Sequence, residues 1–123
     1  MSERTGTDQD NTPEQFSPEL EKLMCRAEDA SHLLKAISHE SRLMVLCLLS
    51  EKERSVSELE HILALRQPTV SQQLARLREE SLVKTRRDGN AIYYSLANDR
   101  VRKIINALYE IFCSTDKGTG EAP

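Results

Sequence analysis

The side chains with the widest chemistry in this sequence are its three cysteines and three histidines. Cys25, Cys47 and Cys113 are odd in number and widely spaced, with no Cys-x-x-Cys pair. That excludes a disulfide scaffold and a zinc finger, and leaves free thiols or one redox pair. His32, His39 and His61 share no His-x-x-x-His spacing, and no Cys–His spacing sets a nucleophile beside a base. A lone histidine near a helix end serves more often as a cap or surface group than as a metal ligand. A second chemistry lies in the polar run Gln67, Thr69, Ser71, Gln72 and Arg76, and in Lys84, Arg86, Arg87 and Asn90 beyond it. Amides, short hydroxyls and guanidinium groups are the types that reach base edges and phosphates in a DNA groove.

The elements that must hold these residues follow from periodicity. Ser17-Pro18-Glu19 reads as a helix start, with Ser at the N-cap, Pro behind it and a carboxylate in the first turn. Leu20, Leu23, Met24, Ala27, Leu34 and Ile37 then keep one face, so the spacing predicts one long amphipathic helix with Cys25 off its stripe. A second helix starts after Ser38. Its run Leu43–Leu49 is apolar all round, which marks a central buried helix and places Cys47 in it. Ser55-Val56-Ser57-Glu58 fits a capping box, and Leu59, Ile62 and Leu63 follow on one face of a short third helix. After Arg66-Gln67-Pro68, the spacing of Val70, Leu74 and Leu77 gives a fourth helix with a narrow buried stripe. Thr69, Gln72 and Arg76 fall opposite that stripe, Ser71 at its edge and Gln67 at the helix start.

Residues 82–86 and 91–96 are β-prone around the turn residues Asp88-Gly89-Asn90, which predicts a hairpin. Asn98 can cap a last helix whose stripe is Val101, Ile104, Ile105, Leu108 and Phe112, with Cys113 at its end. The fold class is therefore mainly α with a small β-hairpin: four helices, a hairpin and a final helix. The third helix, turn and fourth helix make a helix-turn-helix, and the hairpin makes a wing. The domain spans residues 17–113, between a disordered acidic tail (1–16) and a flexible C-terminal tail (114–123), both too polar to offset ordering entropy.

With 123 residues, 38% hydrophobic, the chain suits one compact domain with a mostly aliphatic core. The longest apolar run has seven residues, far short of a membrane span, and residues 1–17 lack a secretory signal pattern. These readings predict a soluble, cytoplasmic protein with no membrane contact. The formal net charge of −3 argues superficially against nucleic acid. Residues 66–103, however, carry nine basic groups against four acidic ones, or +5, which leaves −8 for the rest of the chain. The acidity lies away from the predicted groove-facing segment, so the average hides a basic patch.

The stretch Gln67–Glu79 with Leu82-Val83, then Arg86–Leu96, resembles the ArsR family of bacterial winged-helix repressors, as does the upstream Ile37-Ser38-His39-Glu40-Ser41-Arg42-Leu43. The resemblance covers about residues 18–113. It implies a homodimer built on the first and last helices, bound to a near-palindromic operator in double-stranded DNA. Gln67, Thr69, Ser71, Gln72, Arg76, Arg86, Arg87 and Asn90 are the residues expected to meet that DNA.

The metal sites common in that family are not matched. The segment Ser55–His61 holds no thiol, and the positions near the last helix carry Asn98, Arg100, Ile111 and Ser114, not a tetrahedral ligand set. No metal or other cofactor is expected. Cys47 and Cys113, 66 residues apart, resemble instead the thiol pair of the persulfide-responsive branch, the BigR and SqrR type. That resemblance implies that the reduced dimer binds DNA. Inorganic or organic persulfides would then release it by cross-linking the two thiols through added sulfur. On the residues alone, Cys47 reads first as a small buried hydrophobe, and neither thiol has an evident activator beyond a nearby Tyr109 or an Arg from another element. Three alternatives stay open: a repressor sensing oxidants or a metal at a non-standard site, a small thiol enzyme acting on persulfides as a remote option, and a protein-interaction module whose winged helix never meets DNA. No catalytic residue is identified, and Cys25 has no evident partner.

Overall fold

The computed structural model describes residues 14–113, so most of the N-terminal tail and all of the C-terminal one lie outside the described residues. The chain divides between Ser31 and His32 into two compact units.

The first unit holds α1 (Pro18–Cys25) and the first half of α2 (Ala27–Ile37). Ser17 caps α1, its hydroxyl accepting from the Leu20 amide at 3.1 Å, as the Ser-Pro-Glu start requires. The single long helix expected here is interrupted at Arg26, where φ is −112° and ψ 18°. The Arg26 amide is shared between the carbonyls of Lys22 and Leu23, the tightening typical of a helix end. Its guanidinium pairs with Asp29 at 2.9 Å in the first turn of the new helix. The apolar stripe runs straight through this break, so periodicity could not reveal it. Leu20, Leu23 and Met24, expected to be covered, are exposed in the single chain.

The second unit is built around α3 (Glu40–Glu51), which packs against α5 (Gln67–Glu79), α6 (Asp99–Cys113) and the sheet. His39 caps α3, Nδ1 accepting from the Ser41 amide, so this histidine is a cap as expected. Val45, Leu46 and Leu49 of α3 are buried with Leu59, Val70, Leu74, Leu77, Val101 and Ile105, and no polar residue among those described is buried with them. The apolar girdle of α3 is thus only partly covered: Cys47 is half-buried and Met44 exposed.

Helix α4 (Val56–Leu63) opens with the predicted capping box: Ser55 Oγ accepts from the Glu58 amide at 3.1 Å, and Glu58 accepts from the Ser55 amide at 2.8 Å. It ends at Ala64 in the left-handed conformation (φ 55°), which costs a non-glycine residue steric energy but turns the chain sharply into α5.

Strands β2 (Val83–Asp88) and β3 (Ala91–Leu96) form the hairpin, with Val83 opposite Leu96 and Asp88 opposite Ala91. The two-residue loop Gly89-Asn90 has φ +65° at Gly89, the first central position, where only glycine is unstrained. The hairpin is joined by a strand absent from the sequence reading, β1 (Arg54–Ser55), antiparallel to β3 in the order β1-β3-β2. Two residues have no period to detect. In the last helix, Val101 and Ile105 are buried as expected, Ile104 and Leu108 half-buried, but Phe112 is 78% exposed, a correction to its placement on the covered stripe.

Candidate functional site

Helix α5 presents its polar residues as the stripe of Val70, Leu74 and Leu77 dictates, since those three are buried and fix the rotation of the helix. Gln67 and Gln72 are exposed; Thr69, Ser71 and Arg76 are half-buried. Gln67 Nε2 donates to Ser71 Oγ at 2.6 Å, so two of these residues are already ordered as a pair one turn apart. The Arg76 Nε is buried without a hydrogen-bond partner. No carboxylate stands in the first turn of α5, and its cap, Arg66, makes no side-chain cap bond. The positive end of the helix dipole is therefore not neutralised by an acidic side chain of the helix's own first turn.

A neighbouring amide has a different job. Gln73 Oε1 accepts from Arg42 Nη1 at 3.2 Å, while Arg42 Nε and Nη2 donate to the carbonyls of Ala36 (2.5 Å) and Lys35 (3.3 Å). Arg42 thus closes the end of α2 and holds α5 to it. Sequence reasoning named Arg42 within a motif but gave it no role.

On the hairpin, Lys84, Arg87 and Asn90 are exposed. Arg86 is engaged: Nη2 and Nε reach Glu53 Oε1 and Oε2 at 2.5 and 3.2 Å, and its guanidinium lies 4.9 Å from the centre of the Tyr93 ring. The hydrogen bonds from Arg86 hold the Glu53 carboxyl below the usual carboxylate range. Glu53 was missed because nothing local links it to a residue 33 positions away.

The two thiols sit on α3 and α6, which pack together. Burial pushes the Cys47 thiol up, the Tyr109 side chain hydrogen-bonded to it pulls it back, and Cys113 and Glu51 are close enough to raise it electrostatically. Cys113, the last residue of α6, is exposed, as is Cys25 on α1. The turn that follows Cys47 is clamped from two sides: Arg102 of α6 donates to the Ser50 carbonyl at 2.6 Å, and Arg54 of β1 to the Leu48 carbonyl at 3.1 Å. Among the described residues no three His, Cys, Asp or Glu side chains gather as a metal site. Of the positions compared with the family's metal sites, Asn98 accepts from the Arg100 amide at 2.9 Å as a helix cap, Ile111 is exposed, and Ser114 lies outside the described residues.

The sequence pattern described as bacterial regulatory protein, arsR family, matches residues 39–85, which run from the cap of α3 into β2. The chain is 48% identical over 100 residues to the biofilm growth-associated repressor of Agrobacterium fabrum, covering 81% of this chain and 83% of that one. The chain belongs to the ArsR family. Among solved structures, the transcriptional repressor BigR from Xylella fastidiosa superposes with a TM-score of 0.74 at 46% identity, covering 78% of this chain and 98% of that one. HlyU from Vibrio cholerae, solved in a form described as reduced, gives 0.69 at 39%, covering 79% and 99%. In this ArsR protein α4, the Ala64 turn and α5 are the helix-turn-helix, and β2–β3 are the wing. The wing is one hairpin of a three-stranded sheet, since β1 adds to its β3 edge.

Proposed function

We propose that this protein is a homodimeric transcriptional repressor that binds a palindromic operator when Cys47 and Cys113 are reduced and leaves it when persulfides cross-link them. The polar face of α5, held by the buried stripe beneath it, carries the DNA part of the reading. Gln67, Thr69, Ser71, Gln72 and Arg76 enter the major groove, and Arg86, Arg87 and Asn90 of the wing meet the backbone or minor groove. The similarity to proteins named as repressors supports the direction of control. The apolar side chains left exposed on α1 and at the end of α6 supply the dimer surface.

The shared environment of the two thiols supports the switch. Each thiolate attacks the sulfane sulfur of a persulfide RSSH, which becomes Cys–S–SH with release of RSH. The persulfide anion on one cysteine then attacks the inner sulfur of the other, and hydrosulfide departs. The product is a trisulfide, and the incoming persulfides are the only oxidant. Attack by a plain thiolate on the partner's inner sulfur gives a disulfide by the same loss of hydrosulfide. Either link ties α3 to α6 and moves α5, which packs on α3, off the spacing the operator demands.

Mass spectrometry of the reduced protein treated with an organic persulfide tests this directly. A Cys47–Cys113 species heavier than the reduced protein by one sulfur less two hydrogens is expected, and Cys47→Ser should remain on DNA under the same treatment. Release of that variant as readily as wild type would remove the switch. At the DNA face, Gln72→Ala should cost about 1–3 kcal/mol at one base position. A selection from randomised duplexes that returns the same sequence preference for the variant would strike Gln72 from the readers.

A further inference from the structure

Arg86 is the one proposed DNA contact on the wing that the structure shows already bound to an anion. Its cross-strand partner in the β2–β3 register is Tyr93, and Tyr93 in turn faces Ser55 of β1, so the three strands place Arg86, Tyr93 and the residues just before β1 on one side of the sheet. Glu53 enters from that side. Its two oxygens meet Nη2 and Nε in a forked pair while the Tyr93 ring supports the guanidinium from below. Asp88, at 3.8 Å from Nη1, adds a second, weaker carboxylate. The arrangement copies what a DNA phosphate offers an arginine: two oxygens in the plane of the fork. It is also open to exchange, because the side chains of Arg86 and Glu53 are 52% and 38% exposed. Both side chains face water, where the pair is screened by salt and can yield to the high local charge of an approaching duplex.

We propose that Glu53 is an internal competitor of DNA phosphate for Arg86, setting the affinity of the wing by occupying this arginine until the duplex takes it. The proposal rests on the DNA-binding reading above. Glu53 immediately precedes β1, whose Arg54 holds the end of the Cys47 helix through the Leu48 carbonyl and Glu51. The competing carboxylate therefore sits next to a residue fixed to the C-terminal end of the Cys47 helix, outside the wing, and it keeps the wing partly neutralised until contact.

The test is a double-mutant cycle on the full chain. A fluorescein-labelled duplex is first selected from a random-sequence library by the reduced wild-type protein. Its binding by wild type, Glu53→Gln, Arg86→Gln and the double variant is then followed by anisotropy over a range of NaCl concentrations. Glu53→Gln should bind about two- to five-fold more tightly than wild type, with an unchanged salt slope. Arg86→Gln should bind more weakly, with the slope reduced by about 0.9, the share of one phosphate contact. In the Arg86→Gln background, Glu53→Gln should change nothing. If Glu53→Gln tightens binding equally with and without Arg86, the carboxylate acts only as a general repulsive charge, and the competition is overturned. If Glu53→Gln weakens binding, the pair is a structural brace for the wing, and the competition is equally overturned. A library that yields no enriched duplex would instead overturn the DNA-binding reading beneath it.

Discussion

Cys47 is pulled in opposite directions, and the balance sets its reactivity. Burial disfavours the thiolate most, while the Tyr109 hydroxyl, donating to the sulfur, favours it. Because the thiolate is the nucleophile, the labelling rate of Cys47 by iodoacetamide should climb with pH through the ordinary thiol range and keep climbing above it. The sign for stability is the reverse. A thiol raised by the fold stabilises the native state fully below the unfolded pKa, and that contribution is lost as pH rises through the folded value. Tyr109→Phe removes the opposing donor, so at fixed pH Cys47 should label more slowly than in the wild type. Peptide mass mapping in a Cys113→Ser background isolates the site, and an unchanged or faster rate would exclude Tyr109 as the activator. The same residue scale shows where sequence reading stops. Gln72 and Gln73 are chemically identical neighbours, yet one is exposed and the other is held by Arg42 from 31 residues away. Local spacing assigns a residue to a face; it does not know what arrives from elsewhere in the chain.

Elements were legible where their signal was local. The capping box at Ser55, the stripe of α5 and the glycine turn of the wing each follow from residues within a few positions, and each stands where it was expected. The break at Arg26 and the strand β1 were not, because one leaves the apolar stripe intact and the other is too short for alternation to register. Ser55 combines both cases: it caps α4 and also belongs to β1, opposite Tyr93. Ser55→Ala removes a side-chain acceptor from the start of α4 while leaving the strand's backbone pairing possible. It should lower the unfolding free energy by about 1 kcal/mol, read from the urea midpoint, with little change in the slope of the transition. Circular dichroism should retain the full helical signal at zero denaturant. A loss near zero would mean that the Glu58 bond to the Ser55 amide, or water, satisfies the helix end without the hydroxyl.

At the scale of the whole molecule, the decisive feature is apolar surface left exposed among the described residues. Ile111 and Phe112 at the end of α6 are 69% and 78% exposed, and Leu20, Leu23 and Met24 are exposed along α1. Isolated surface leucines are ordinary, but a full amphipathic face left open on a helix calls for a partner. A second copy of the chain is the partner proposed above, and it also explains how one small recognition helix gains affinity. Two copies related by a two-fold axis address two half-sites about 34 Å apart on one face of the duplex. Binding by the pair is then far stronger than by either copy alone, because the second contact is intramolecular. Phe112→Asp places a charge on the exposed face without touching the core of Val101 and Ile105. It should leave the circular dichroism spectrum intact, halve the mass measured by light scattering, and weaken operator binding by more than about 100-fold. Phe112 precedes Cys113, so the measurement is made on fully reduced protein, where the thiol switch plays no part. A variant that keeps the wild-type mass would move the dimer surface away from the end of α6. A monomer that still binds the operator with wild-type affinity would break the link between two-fold assembly and DNA recognition.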